Sequence, residues 1–199
     1  MPETTYDVAI IGSGPAGYTA AIRAGQFGLK TALIEKDPYL GGTCLHVGCI
    51  PTKALLFNAE LWDHLKDASE FGIEGVGSRK LNWDAVLERK TKVVNKHAKG
   101  LEFLMRKNKV ETLRGYGKLT GSAQNGIHTI DLTDGTKSSQ IKAKNVILAT
   151  GSEARMIPGL LPDDRVLTNI EILKLGKAPK SLVVVGAGAV GVEFASIFR

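Results

Sequence analysis

At 199 residues, 43% of them apolar, the chain has material for one large or two modest domains with cores of their own, and its net charge is +6. No apolar run approaches the ~20 residues that cross a bilayer. The opening Met1-Pro2-Glu3-Thr4-Thr5 lacks both the basic-then-apolar order of a secretory signal and the Arg- and Ser-rich character of a transit peptide. The expected setting is the cytoplasm, or the mitochondrial matrix for a processed eukaryotic protein. Neither a membrane nor nucleic acid is an expected partner, since zinc-finger spacing and RNA-binding aromatic signatures are both missing.

Residues 6–11 (YDVAII) form an apolar, β-branched run that predicts a buried parallel strand. Gly12-Ser13-Gly14-Pro15-Ala16-Gly17 follows, and residues 18–27 predict a small-residue helix with Pro15 suited to its first turn. A second buried strand is predicted at 31–35 (TALIE). Gly41-Gly42 breaks the chain, and helices are predicted over 51–68 and 83–107. The second of these carries Val93, Val94, His97, Leu101, Leu104 and Met105 at helical spacing, with Lys and Arg between them as a solvated basic face. Short strands are predicted at 110–119, 127–132 and 139–142, with a hairpin turn at Asp134-Gly135. Residues 145–150 (NVILAT) predict another buried strand. Pro158-Gly159 and Leu161-Pro162 suggest a domain edge. Residues 181–185 (SLVVV) open a second strand-glycine-helix pattern.

Two clusters carry chemistry. In the first glycine motif, Gly12 permits a tight turn, Gly14 admits a pyrophosphate to the backbone, and Gly17 lets helix and strand pack closely. The phosphate would sit at a helix N-terminus, among free N–H groups. Glu35 ends the next strand 23 residues after Gly12, where an acid can accept from a ribose diol. The second cluster holds the two cysteines, in Gly41-Gly42-Thr43-Cys44-Leu45-His46-Val47-Gly48-Cys49-Ile50-Pro51-Thr52-Lys53. A close pair in a cytosolic chain suggests redox chemistry or metal binding. His64, His97 and His128 add no metal-ligand spacing, and only His46 lies within the pair. Residues i and i+5 of a regular helix lie roughly 8–9 Å apart, whereas a disulfide needs about 4.4–6.8 Å. A bridge therefore requires a distorted helix, and Gly48 is suited to supply the distortion.

Together these motifs resemble the flavoprotein disulfide reductases. Leu45 and Ile50 bring the cysteine segment nearest to the dihydrolipoamide dehydrogenases. The resemblance continues through Val146-Ile147-Leu148-Ala149-Thr150-Gly151-Ser152 and Ile157-Pro158-Gly159. It then runs into Val184-Val185-Gly186-Ala187-Gly188-Ala189-Val190-Gly191-Val192-Glu193-Phe194, and so covers the whole chain. His46 departs from the Asn usual in lipoamide enzymes.

The resemblance implies an α/β fold: a Rossmann-like FAD-binding domain (1–158) with a parallel sheet and an antiparallel meander, then the start of a Rossmann-like NAD-binding domain (159–199). It implies Cys44 as the interchange thiol and Cys49 as the thiolate against the flavin. Lys53 would lie near flavin N5, ion-paired to Glu193. FAD contacts would come from Gly12, Gly14, Pro15, Ala16, Gly17, Glu35, Lys36, Gly42, Thr43, Gly117, Ala149, Thr150, Gly151 and Ser152. NAD contacts would come from Gly186, Gly188, Ala189, Val190 and Gly191. The implied activity is oxidation of protein-bound dihydrolipoamide with NAD as acceptor. The implied partners are lipoyl domains of 2-oxoacid dehydrogenase complexes and a second identical subunit. The alternatives are a glutathione or mercuric reductase, or a truncated, non-catalytic FAD-binding module. Only about 18 residues follow Ser181, where a βαβ unit takes ~30. The chain is thus expected to be part of a longer protein, to lack the catalytic base, and to be inactive alone.

Overall fold

A computed structural model of the chain describes residues 5–199. The chain divides into two compact units. One takes the residues up to Leu45 with Lys96–Glu153, and the other takes His46–Asn95 with Ala154–Arg199.

The first unit is built on a six-stranded sheet of order β3-β2-β1-β6-β5-β4. Strands β1 (Thr5–Ile11), β2 (Thr31–Glu35) and β3 (Glu111–Arg114) pair in parallel. Strands β4 (Tyr116–Gln124), β5 (Ile127–Asp134) and β6 (Lys137–Leu148) form an antiparallel meander. The sequence patterns at 139–142 and 145–150 turn out to belong to one strand. The first half of β6 pairs with β5, and its second half pairs in parallel with β1, from Thr5↔Lys142 to Ile11↔Leu148. Conversely, the single stretch expected at 110–119 is cut in two by Gly115. Its φ is +134°, its N–H donates to the Glu35 carbonyl at 2.9 Å, and a Cβ there would lie 2.8 Å from the Thr133 oxygen. This left-handed residue sends the chain from the parallel edge into the meander. Gly135 (φ +58°) closes the β5–β6 hairpin at Asp134↔Lys137.

Helix α1 (Pro15–Gln26) buries Gly17, Ala21 and Ala24 at i, i+4, i+7 spacing, which lays a narrow face on β1 and β2. Tyr6, Ala9, Ile11, Ala32, Ile34, Ile130, Leu132 and Ala143 make the core of the unit, so the meander supplies Ile130 and Leu132 to the same cluster as the parallel strands. Ile130 is fully buried. Ile130→Ala is expected to cost about 2–5 kcal/mol through lost burial and a residual cavity. Urea unfolding checks this, and a loss under about 1 kcal/mol would show that the meander is not a core layer.

In the second unit α3 (Cys49–His64) tightens into a 3-10 turn, Leu65–Phe71, which Gly72 ends at φ +71°. Helix α4 (Trp83–Lys107) has the extent predicted; its residues from Lys96 onward belong to the first unit, with Leu101 and Met105 buried and His97 exposed. Leu55, Val86, Ile172, Leu173 and Phe194 form this unit's core, drawing on α3, α4, α5 (Asn169–Ile172) and α6 (Ala189–Phe198). Trp83 Nε1 donates to the Leu175 carbonyl at 2.8 Å, and its ring meets Phe198 at 5.9 Å. Residues 181–185 form no strand. They pair with no described strand, and Val183 is 88% exposed. An apolar β-branched run becomes a strand only when a neighbour takes its N–H and C=O groups. Ile147 and Leu148 are likewise more exposed than a buried strand would leave them, since among the described residues nothing in the unit covers that end of β6. No described helix is long and apolar enough to cross a membrane.

Candidate functional site

The turn between β1 and α1 is shaped by its glycines. Gly12 takes φ +102°, and a Cβ there would stand 2.2 Å from the Ala149 oxygen. A Cβ on Gly17 would stand 1.8 Å from the Gly12 oxygen, so helix and turn touch backbone to backbone. Around Gly14 a Cβ would meet nothing within 4 Å. Gly14 caps α1 in an extended conformation and offers no side-chain bond to the first turn. The amides of Ala16 and Gly17 are among those a helix leaves without an intrahelical acceptor. An open face with free N–H donors at the positive end of a helix can take a phosphate group.

The surrounding loop is tied to this turn. Gly41 N–H donates to Ser13, with its carbonyl and hydroxyl oxygens both at 3.1 Å. At Gly42 (φ +60°) a Cβ would stand 2.8 Å from the Gly14 Cα. Glu35 is buried and accepts the Ser13 N–H at 2.9 Å and the Ser13 hydroxyl at 2.5 Å on Oε2, and the Asp37 N–H at 2.9 Å on Oε1. Its first task is thus to join the turn to the β2 end, although Oε1 keeps a lone pair for a further donor. Ser13, fully buried at the centre of this network, was missed in the sequence reading. As a variable position of a glycine motif it carries no pattern of its own.

The other expected positions in this unit fall as follows. Ala149 donates its N–H to the Ile11 carbonyl at 2.8 Å beside the turn. Thr150, Gly151 (φ +79°) and Ser152 continue from it as exposed, irregular backbone. Lys36 is exposed and paired with Asp37 at 3.1 Å. Thr43 is exposed on α2 (Gly42–His46). Gly117 is a strand residue whose missing Cβ would press on Ile34 Cγ2 at 3.0 Å and Ile11 Cγ2 at 3.3 Å.

The cysteine segment runs off the end of this network. Leu45 is buried against Gly41, whose φ of +121° makes room for it. Helix α2 stops at His46 and α3 starts at Cys49, with Gly48 between them at φ −143°, ψ −119°. The helical path is therefore broken between the cysteines, as a bridgeable i, i+5 pair requires. Cys44 is half-buried and Cys49 exposed. Cys44 closes one unit and Cys49 lies in the other. No described cluster of His, Cys, Asp and Glu could hold a metal ion.

In the second unit the structure joins Lys53 of α3 to Glu193 of α6 in an ion pair. The second glycine turn repeats the first. Gly186 has φ +106°, Gly188 caps α6 at φ −75°, ψ 169°, and a Cβ on Gly191 would stand 2.6 Å from the Gly186 oxygen. Ala189 and Val190 open α6 and are exposed. The turn keeps its shape without a paired strand in front of it, so its geometry is local.

Residues 6–199 match the family described as pyridine nucleotide-disulphide oxidoreductase. The dihydrolipoyl dehydrogenase of Bacillus subtilis is 46% identical over 98% of this chain, which covers 42% of that relative. The mitochondrial dihydrolipoyl dehydrogenase of Sus scrofa is 44% identical over 97% of the chain and is covered over 38% of its length. A crystal structure of LpdA from Mycobacterium tuberculosis superposes with a TM-score of 0.86 at 28% identity, over 98% of this chain and 42% of that one. The chain spans about two fifths of the length of the relatives it matches.

Proposed function

The chain belongs to the pyridine nucleotide-disulphide oxidoreductase family, and we propose that it carries the flavin- and dithiol-bearing part of a dihydrolipoyl dehydrogenase acting on protein-bound dihydrolipoamide. The observation that carries this reading is the cysteine pair divided by a helix break, on a segment whose start rests on the glycine turn through Gly42 and Gly14.

In this reading FAD is held by Gly12, Gly14, Pro15, Ala16 and Gly17 at its pyrophosphate and by Glu35 and Lys36 at its ribose end. Gly42, Thr43, Gly117, Ala149, Thr150, Gly151 and Ser152 complete its surroundings. NAD is held by Gly186, Gly188, Ala189, Val190 and Gly191. The open Gly14 face and the free amides of the α1 first turn fit a pyrophosphate. When bound, FAD would supply a two-electron acceptor for the dithiol and NAD a hydride acceptor for the flavin. The protein's own steps are thiol chemistry. A substrate thiolate attacks Sγ of Cys44 in the Cys44–Cys49 disulfide, a mixed disulfide forms, and Cys49 leaves as thiolate. The second substrate sulfur then closes on the first and releases Cys44, so substrate leaves as a cyclic disulfide and the cysteines remain as a dithiol. Lys53, ion-paired to Glu193, would place its positive charge near flavin N5.

We further propose the division at 158/159 between FAD- and NAD-binding domains, a cytoplasmic or matrix location, lipoyl domains as partners and a homodimer. Steady-state assays of the full-length enzyme test the substrate. Dihydrolipoamide should exceed glutathione disulfide and Hg(II) by about 100-fold or more in kcat/KM, a ratio typical of sites that recognise one substrate class. Preference for either of the others would make this a sister reductase.

The Lys53–Glu193 pair yields a separable expectation. Lys53 is more than half exposed, so a double-mutant cycle with Lys53→Met and Glu193→Gln should show a stability coupling below about 1 kcal/mol. Reduction of the flavin should nevertheless slow by about tenfold in either variant, since an oriented charge beside developing charge contributes more than a surface pair. Equal, small effects on both readouts would reduce the pair to a surface contact.

A further inference from the structure

Val47 lies in the break between the two cysteines, and Pro51 denies its carbonyl an α-helical partner. In a regular helix that carbonyl would accept from the N–H four residues on. The residue there is Pro51, which has no N–H and whose ring crowds the carbonyl four positions back. Pro51 is buried in the first turn of α3. The next carbonyl, that of Gly48, meets no such obstacle and accepts the Thr52 N–H at 3.1 Å. The Val47 carbonyl therefore needs a donor from outside the helix, since Val47 is half-buried. Asn169, 122 positions away, supplies it: its Nδ2 donates to the Val47 carbonyl at 2.7 Å.

Asn169 stands on a firm base. It is the first residue of α5, which Thr168 caps: the Thr168 hydroxyl accepts the Ile170 N–H at 3.2 Å, and Glu171 Oε2 accepts the Thr168 N–H at 2.7 Å. Ile172 and Leu173 are buried in the core of the second unit, and the Val47 side chain packs against the same cluster. The residues after α5 are tied to α4 as well. Trp83 Nε1 donates to the Leu175 carbonyl at 2.8 Å, and Lys90 Nζ donates to the Leu173 carbonyl at 2.5 Å. Val47 is thus held by its side chain and by its carbonyl, at the point where the chain leaves one helix for the next. We propose that Asn169 is a positioning residue for the redox pair. By holding the Val47 carbonyl it keeps the chain on the broken path along which Cys44 and Cys49 can be joined. The proposal rests on the dithiol reading above. A disulfide closes a short ring across the break and restrains it, whereas in the dithiol the Asn169 bond carries that restraint. Loss of the bond frees the dithiol more than the disulfide, and the added conformational freedom favours the reduced form. Without Asn169 the pair should become easier to reduce.

The test is anaerobic equilibration of the full-length enzyme in dithiothreitol redox buffers, with the reduced cysteines counted by alkylation and mass spectrometry. Asn169→Leu removes the donor. Asn169→Asp removes it with the least change of shape, and an acid in the first turn of a helix is well tolerated. Each should shift the equilibrium toward the dithiol by about fivefold, the worth of one neutral hydrogen bond, or about 20 mV for a two-electron couple. Ile170→Ala, at the exposed next position of α5, should leave the equilibrium in place. Thermal unfolding of the same samples identifies the variants that are folded at the assay temperature. A wild-type equilibrium in either folded Asn169 variant overturns the proposal and leaves the dithiol reading standing. An equal shift in Ile170→Ala overturns it too, since the packing of α5 and not the donor would then act. Cysteines of the native enzyme that stay alkylatable across all the buffers would overturn the dithiol reading, and the proposal with it.

Discussion

Cys44→Ser in the full-length enzyme is expected to abolish dithiol oxidation, with kcat falling at least about 10³-fold because the sulfur that exchanges with substrate is gone. Cys49→Ser should be as severe, for a different reason: exchange at Cys44 then has no partner thiolate to release. Both variants should keep their flavin. The glycine turn, Glu35 and the Gly41–Ser13 bonds are formed by backbone and side chains other than the cysteines. Steady-state turnover with dihydrolipoamide, alongside flavin absorbance, separates the two effects. Retention of more than about a tenth of wild-type turnover by either variant would mean that the pair is not the redox centre.

Gly17→Ala should unfold the first unit or strip it of flavin. The added Cβ would stand 1.8 Å from the Gly12 oxygen, and the clashing atom is backbone at a turn that itself rests on Ala149. Relief requires moving α1 off β1, at a cost of about 3 kcal/mol or more. Gly14→Ala is the informative contrast. A Cβ there meets nothing within 4 Å, and φ is −64°, which alanine adopts freely. Its effect on the stability of the flavin-free protein should stay within about 1 kcal/mol, while flavin affinity drops because the open face is the one a pyrophosphate would use. Thermal unfolding of the flavin-free variants, with flavin titration, distinguishes the positions. Equal effects of the two substitutions on both readouts would mean that the turn is structural only.

Much of this was legible because local patterns decide local structure. The apolar runs of β1 and β2 and the helical period of α4 gave elements close to those expected, since each has its neighbours within the described residues. The cysteine spacing foretold the break at Gly48, because covalent geometry leaves no other way to bring such a pair within reach. Failures arose where a neighbour decides. The run at 181–185 reads as a buried strand but has no ladder partner here. Residues 139–148 read as two strands and form one, because β6 serves two partners in succession. The bond between buried Glu35 and Ser13 was illegible too, because the role of that serine depends on a residue 22 positions away.

The central claim is that the cysteines form a second redox centre beside the flavin. Anaerobic reductive titration of the full-length enzyme tests it most directly. The native enzyme should take up about four electrons per protomer, two for the flavin and two for the disulfide, and Cys44→Ser should take up about two. Uptake of only about two electrons by the native enzyme, with both thiols titratable before reduction, would contradict it.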